Sequence, residues 1–423
     1  MMFGLVLSPI TLTWVISAVA AAGVILRPFS WPEAIWAVAG AAVLVVLHLI
    51  GPEVAWTGIV KGVDVYLFLT GMMLLSETAR QEGLFDWLAA LATKGARGSA
   101  SRLFLLVYAV GAIVTTFLSN DATAVVLTPA VAAAVKTAKV KNPLPYLFIC
   151  ALIANAASFV LPISNPANLV IYGGHTPPLL QWLPRFALPS ILSIVATFAV
   201  LRLTQNRALR AEEVAGDVKL PALSGSGKLA GLGIGLTAVT LLASSGLGFQ
   251  LGLPTAVCGA LTAIAVMILK RASPWPTIKG VCWGVLPLVA GLFVLVEALD
   301  KTGLIRMIGD FLRDAARHSE TQSACGAGVL IAFAGNLMNN LPAGLIGGSA
   351  VQAAQTPDRI TSAIVVGVDL GPNLSVTGSL ATILWLTALR REDINVSAWA
   401  FLKLGFVVMP PALLLATAGL FVL

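Results

Sequence analysis

Two acids and a small set of amides and hydroxyls carry the chemistry open to this sequence. Asp121 follows Ser119-Asn120 inside a long apolar stretch, and Asp369 stands inside another, two residues ahead of Gly371-Pro372. If these stretches cross a bilayer, each charge costs about 2.5–3.5 kcal/mol at mid-depth, so an acid kept there is a functional candidate. A carboxyl group in that position takes up and releases a proton, and Asp121 and Asp369 are read as proton-coupling residues. The structural alternative is that Asp121 caps a returning helix and Asp369 pairs with backbone. Asn120, Ser164, Asn165, Asn339, Asn340, Thr377 and Ser379 stand at or beside interruptions of apolar runs. Amides and hydroxyls both donate and accept, and the N–H groups at the start of a half-helix favour anions or electron-rich oxygens. These seven residues are expected to line a site for a polar solute; helix capping alone is the other reading.

Other chemistries lack their residues. The three histidines, His48, His175 and His318, have no metal-ligand spacing, and His48 is expected to pack on an apolar span. Cys150, Cys258, Cys282 and Cys325 form no CxxC pair, so neither a zinc site nor a disulfide framework is indicated. No GxxxxGK[ST], HExxH or GxSxG motif occurs, so the chain is not read as an ATPase, a protease or an esterase, and no cofactor is expected.

The elements that position these residues follow from composition. The chain has 423 residues, 58% hydrophobic and 11% charged, where about 25% charged is usual for a soluble domain. The deficit comes from uncharged runs such as 5–26 and 229–251, long enough to span as helices. The expected fold is all-α and polytopic. Ten crossings are read at 4–26, 33–50, 61–80, 145–172, 181–203, 229–248, 254–270, 280–300, 359–390 and 399–421. Two re-entrant hairpins lie at 102–137 and 323–355, and the spans 145–172 and 359–390 are interrupted. Pro162 and Pro166 bracket the first interruption, Gly371-Pro372 and Gly378 mark the second, and Pro342 suits the first turn leaving the second hairpin tip. The N-terminus has no basic region or cleavage site, so the first run is read as a span, not a signal peptide. The net charge of +7 does not indicate nucleic acid, because the basic residues are dispersed in short loops.

The two halves resemble each other. Glu77 with Gly83-Leu84 corresponds to Glu297 with Gly303-Leu304 at an offset of 220 residues; Ser119-Asn120-Asp121 corresponds to Met338-Asn339-Asn340 at 219; Ser164-Asn165-Pro166 corresponds to Thr377-Gly378-Ser379 at 213. The expected organisation is a first repeat over 1–203, a cytoplasmic linker over 204–228 and a second repeat over 229–423, each repeat holding five spans and a hairpin. Five is odd, so the second repeat enters upside down, an arrangement common in secondary transporters with the site at the repeat interface. Asp121 and Asp369 break the symmetry, facing Asn340 and Asn155 or Ala156 in the other half. Glu77 and Glu297 obey it and are read as architectural, and Asp64 is unassigned. With the N-terminus outside, 19 of the 26 Lys and Arg fall on the inner side and 7 on the outer, which places both termini outside and the linker in the cytoplasm.

Ser119-Asn120-Asp121-Ala122-Thr123 with Thr128-Pro129, and Met338-Asn339-Asn340-Leu341-Pro342, resemble the two hairpins of the ion transporter superfamily. Asp369-Leu370-Gly371-Pro372-Asn373 with Gly378-Ser379-Leu380-Ala381-Thr382 resembles the arsenical pump membrane protein family, with Ser375 where Thr is expected. The resemblance runs from about residue 60 to 390. It implies a bacterial inner-membrane antiporter that exports arsenite and antimonite in exchange for protons, with a cytoplasmic arsenical pump ATPase as an optional partner at the 204–228 linker. Arsenite near neutral pH is largely an uncharged trihydroxide, which amides and hydroxyls suit. Cys150 and Cys325 are read as structural, because thiolate ligation would hold trivalent arsenic too tightly for turnover. A sodium-coupled or sodium/proton carrier on the same fold, and a passive subunit of an ATP-driven pump, are the competing readings. Stoichiometry and oligomeric state stay open.

Overall fold

The computed structural model of the protein describes residues 8–173, 176–215 and 220–422; His175, Asp217, Lys219 and the start of the first expected span lie outside them. Every regular element among the described residues is a helix. Local chemistry sets where many of them begin. Ser8, Ser99, Ser224, Ser319 and Ser397 are extended and accept an N–H from the first turns of Pro9–Leu26, Ala100–Phe117, Gly225–Gly246, Glu320–Met338 and Ala398–Gly419. These hydroxyls satisfy backbone donors that a helix start otherwise leaves unpaired.

Six helices are long and apolar enough to cross a membrane: Pro9–Leu26, Ala100–Phe117, Leu179–Thr204, Gly225–Gly246, Gly252–Lys270 and Ala398–Gly419. Pro52–Lys61 and Val63–Gln81, bent 46° apart, make a seventh if taken as one span. Outward-facing side chains such as Leu236 (62% exposed) and Leu330 (68%) have lipid as their natural solvent. The protein is a multi-pass membrane protein. Other expected crossings are assembled from shorter pieces. Leu144–Ala156 rises only about 20 Å, against a hydrocarbon layer of roughly 30 Å.

The sequence reading left two stretches without elements that the structure folds into amphipathic helices, Leu84–Ala96 and Leu304–His318. Each follows a glycine in the left-handed region, Gly83 (φ 71°) and Gly303 (φ 85°), a backbone that glycine adopts without a Cβ clash. Their charged residues disguise them in a hydropathy reading. Pro52–Lys61 is a third helix not foreseen. His48 does not pack on an apolar span: it is exposed in the turn after Glu33–Val46, with φ 54°.

Glu77 and Glu297 are both buried and both paired. Glu77 accepts from Arg80 Nε (2.7 Å), an Arg80 terminal nitrogen (2.6 Å) and Gln81 Nε2 (2.7 Å); Glu297 accepts from Lys61 Nζ (2.5 Å). Removing one partner of such a pair leaves an uncompensated charge, which suits an architectural role. Asp64 is also structural, with Oδ1 accepting from Gly252 N (2.7 Å).

Helix packing recurs in pairs. Val63–Gln81 packs on Gly252–Lys270, and Val285–Lys301 packs on Glu33–Val46. Ala100–Phe117 packs on Leu144–Ala156, and Glu320–Met338 on Asp358–Leu370, while Leu179–Thr204 lies along Ala398–Gly419. The first contact is close because of glycine: a Cβ on Gly71 would stand 2.2 Å from Thr255 O, and one on Gly259 2.4 Å from Gly71 O.

This contact gives a stability prediction. Gly71→Ala is expected to destabilise the protein by about 1–3 kcal/mol through overpacking, read as a lowered thermal midpoint in detergent. Gly235→Ala, where a Cβ meets nothing within 4 Å, should leave the midpoint in place. A Gly71→Ala protein as stable as the parent would remove the close approach from the account of the fold.

Candidate functional site

The polar residues converge through four interruptions. At the first hairpin tip Ser119 is extended (φ −176°); its Oγ accepts from Ala122 N (3.2 Å), and Asn120 Oδ1 accepts from Asp121 N (2.9 Å). A π-helical turn, Thr123–Leu127, follows before the regular helix Thr128–Thr137. At the second tip Asn339 adopts φ 75°, ψ 152°, and its Oδ1 accepts from Leu341 N (3.3 Å) at the start of Asn340–Ala354. Pro342 lies in that first turn, as its missing N–H suggested.

The first broken helix runs Leu144–Ala156, a 3-10 turn Pro162–Ser164, then Pro166–Tyr172, with Asn165 Oδ1 accepting from Ala167 N (3.0 Å). The second runs Asp358–Leu370, a 3-10 turn Gly371–Asn373, then Leu380–Arg391, with Ser379 Oγ accepting from Thr382 N (3.1 Å). Each break supplies partners to the other. Asn155 Nδ2 donates to Asn373 Oδ1 (3.0 Å), Asn373 Nδ2 donates to Leu152 O (3.0 Å), and Asn165 Nδ2 donates to Asp369 Oδ1 (2.6 Å). The second tip is tied to the second break by Asn340 N donating to Gly378 O (2.9 Å). Gly378 has no room for a side chain, since a Cβ would stand 2.6 Å from Pro372 Cα.

Asn120, Asp121, Asn165 and Asn340 line one small cavity of about 10 Å³ together with apolar residues including Leu69 and Val285. That is space for about one water. An adjoining cavity of about 70 Å³ shares Leu69, Asp121, Pro166 and Val285 with it and reaches Ser119, Glu77 and Cys282. Among the described residues, no Lys, Arg or His lines either cavity.

The expected site residues therefore divide. Asn120, Asp121, Asn165 and Asn340 meet. Asp369 is fully buried one hydrogen bond behind them, reached through Asn165. Ser164 Oγ donates to Thr116 O (2.9 Å), tying the first break to the first hairpin. Asn339 and Ser379 cap their helices, and Thr377 Oγ1 donates to Asn336 O (3.2 Å); none of these four lines the cavity. Cys150, buried, and Cys325 are also away from both cavities, whereas Cys282 lines the larger one.

Sequence reasoning passed over Asn155, Asn168, Asn336 and Asn373. Asn336 Nδ2 donates to Ala332 O (2.8 Å) and Gly371 O (2.9 Å), and its Oδ1 accepts from Ser375 Oγ (2.6 Å). The available signal was spacing: Asn336 precedes Asn340 by one helical turn, and Asn155 and Asn373 lie in corresponding broken spans of the two halves. Among the described residues, no group of three or more His, Cys, Asp or Glu is placed to hold a metal ion.

The chain is similar to known membrane proteins. The model of the family described as citrate transporter matches residues 12–369. The arsenical pump membrane protein of Yersinia enterocolitica is 26% identical over 386 residues, covering 89% of each chain. That of Escherichia coli strain K12 is 27% identical over 363 residues, covering 82% of this chain and 84% of its own. The crystal structure of the YdaH transporter of Alcanivorax borkumensis superposes with a TM-score of 0.60 at 16% identity, covering 98% of both chains, and so shares the fold.

The link between the breaks is testable by a double-mutant cycle. Asn155→Ala and Asn373→Ala are each expected to destabilise by about 1–3 kcal/mol, because each leaves a buried amide unpaired. The double variant should lose less than the sum, with a coupling of about 0.5–3 kcal/mol. Additive losses in thermal unfolding would mean that the two amides do not support each other.

Proposed function

The chain belongs to the citrate transporter family, and within it we propose a membrane transporter that exports arsenite and antimonite from the cytoplasm in exchange for protons. The observation that carries this reading is the cavity lining. Asn120, Asn165 and Asn340 offer neutral donors and acceptors beside Asp121, Glu77 in the larger cavity is already paired with Arg80, and among the described residues no cationic side chain lines either cavity. A tricarboxylate would need cations there, since an anion stripped of water requires paired charge. A neutral trihydroxide requires hydrogen bonds alone. It also requires more space than about 10 Å³, so the two cavities join when it binds. The arsenical pump membrane proteins similar to this chain support the same substrate class.

Asp121 faces the cavity and exchanges its proton with the solute pathway; Asp369 is the second coupling acid. The two halves are inverted repeats, 1–203 and 229–423, joined by the 204–228 linker. The paired packing supports this: Val63–Gln81 on Gly252–Lys270 has its counterpart in Val285–Lys301 on Glu33–Val46, with partners exchanged between halves as a two-fold relation requires. The Lys and Arg distribution supports an orientation with the linker in the cytoplasm and both termini outside.

One proton exchanged for a neutral solute gains about 2.3 kcal/mol per 100 mV. At roughly 150 mV this sustains about a few hundredfold concentration ratio without ATP. Everted vesicles should accumulate arsenite when a proton gradient is imposed, without ATP, and should not respond to sodium or take up citrate. Asp121→Asn should abolish gradient-driven accumulation while the vesicles still equilibrate the solute. Sodium-dependent uptake, or unchanged accumulation by Asp121→Asn, would overturn the coupling scheme. Replacing all four cysteines, Cys282 included, should leave arsenite transport intact; its loss would instead assign thiol ligation to the cavity.

A further inference from the structure

Two buried acceptors at Asp369 and its neighbour Asn168 lack a hydrogen-bond partner. Asp369, Ser158, Asn165 and Asn168 are each at most 2% exposed. Asp369 Oδ1 has its donor in Asn165 Nδ2, and Ser158 and Asn168 approach the same carboxyl group. Asn168 Nδ2 donates to Ser158 O (2.9 Å), and Ser158 Oγ donates to Asn155 O (2.7 Å). Two atoms remain without a partner: Asp369 Oδ2 and Asn168 Oδ1. Exchanging the nitrogen and oxygen of the Asn168 amide does not repair this, because its oxygen would then face the Ser158 carbonyl, acceptor against acceptor.

Among the described residues, no ion pair compensates the carboxyl group. The ion pairs on helices packed against Asp358–Leu370 are Arg185–Asp358 and Arg359–Glu320. Both lie at the opposite, Asp358 end of that helix, roughly 16 Å from Asp369 along the axis. An ionised carboxylate in such a place is strongly disfavoured. An alkali ion needs a fuller shell of oxygens than the two left over.

Resting on the proton-coupled reading above, we infer that Asp369 carries its proton on Oδ2 in this conformation and donates it to Oδ1 of Asn168. The proton adds to the carboxylate and forms one O–H bond; no other covalent bond changes. Asn168 is then a positioning residue for the proton, held in place by the Ser158 carbonyl. Asn165 is the shared element: its side chain lines the solute cavity and also holds Asp369 Oδ1. Occupation of the cavity and protonation of the buried acid are thus sensed by one amide, while the proton itself is shut away from the solute.

Infrared difference spectroscopy of the purified full-length protein tests this without any transport substrate. Parent minus Asp369→Asn should show, at neutral pH, the carbonyl band of a protonated, hydrogen-bonded carboxyl group. In Asn168→Leu that band should move to the higher frequency of a carboxyl group without an acceptor. If Asn168→Leu does not fold, Asn168→Ser takes its place, with a smaller shift in the same direction. The inference is overturned if no such band is lost in Asp369→Asn, or if the band stays in place in the folded Asn168 variant. It is equally overturned if sodium chloride at constant pH abolishes the band, which would assign the site to an alkali ion. The expected band in a protein that fails to transport arsenite would overturn the substrate assignment and leave the proton site standing.

Discussion

A helix broken inside an apolar environment exposes peptide groups that water cannot reach, and every one must find a partner within the protein. In this molecule each break meets part of that demand itself, through Ser164, Asn165 and Ser379, and side chains link the two breaks crosswise. Asn155, at the end of one half-helix, bonds Asn373 in the other break; Asn373 returns a bond to Leu152 O; Asn165 reaches Asp369. Neither break is satisfied by its own segment alone. The two breaks are therefore held face to face, and the hairpin tips, one of them bonded to a break through Gly378, are brought to the same place.

Around this polar centre the protein uses two kinds of contact. Glycine lets Val63–Gln81 and Gly252–Lys270 approach at backbone distance, and such packing gains through many small dispersion contacts. The Lys61–Glu297 pair ties distant parts of the chain together. The cavities lie where this apolar framework, through Leu69 and Val285, meets the amide-rich tips and breaks. Water-sized space, apolar on one side and amide-lined on the other, is a setting in which each hydrogen bond and each charge counts for more than in solution.

The same setting separates the two acids. Asp121 borders both cavities, whereas Asp369 is fully buried and communicates with them through one amide. Two carboxyl groups with different access need not perform the same step. Among the described residues neither cavity has a cationic lining.

Much of the architecture was legible in the sequence because it depends on local properties. Proline and glycine within an apolar run act over a few residues, and Pro162, Pro166, Gly371, Pro372 and Gly378 marked both interruptions. Hydropathy located five of the six long apolar helices as spans for the same reason, and the sixth, Ala100–Phe117, as an arm of the first hairpin. It missed Leu84–Ala96 and Leu304–His318, whose one-sided patterning is diluted in an average over a window. The motif Ser119-Asn120-Asp121 and the acid at Asp369 were visible as expensive residues in apolar surroundings. What no single segment contains is which of these residues meet. Asn120, Asn165 and Asn340 share a cavity, while Ser164, Asn339, Thr377 and Ser379, equally polar and equally placed, are taken up by capping and bracing. Residue type alone determined that polar interruptions exist within the apolar spans. Only the tertiary structure decided which of them border the cavity, because a side chain lines a space only where the segments packed around it leave one.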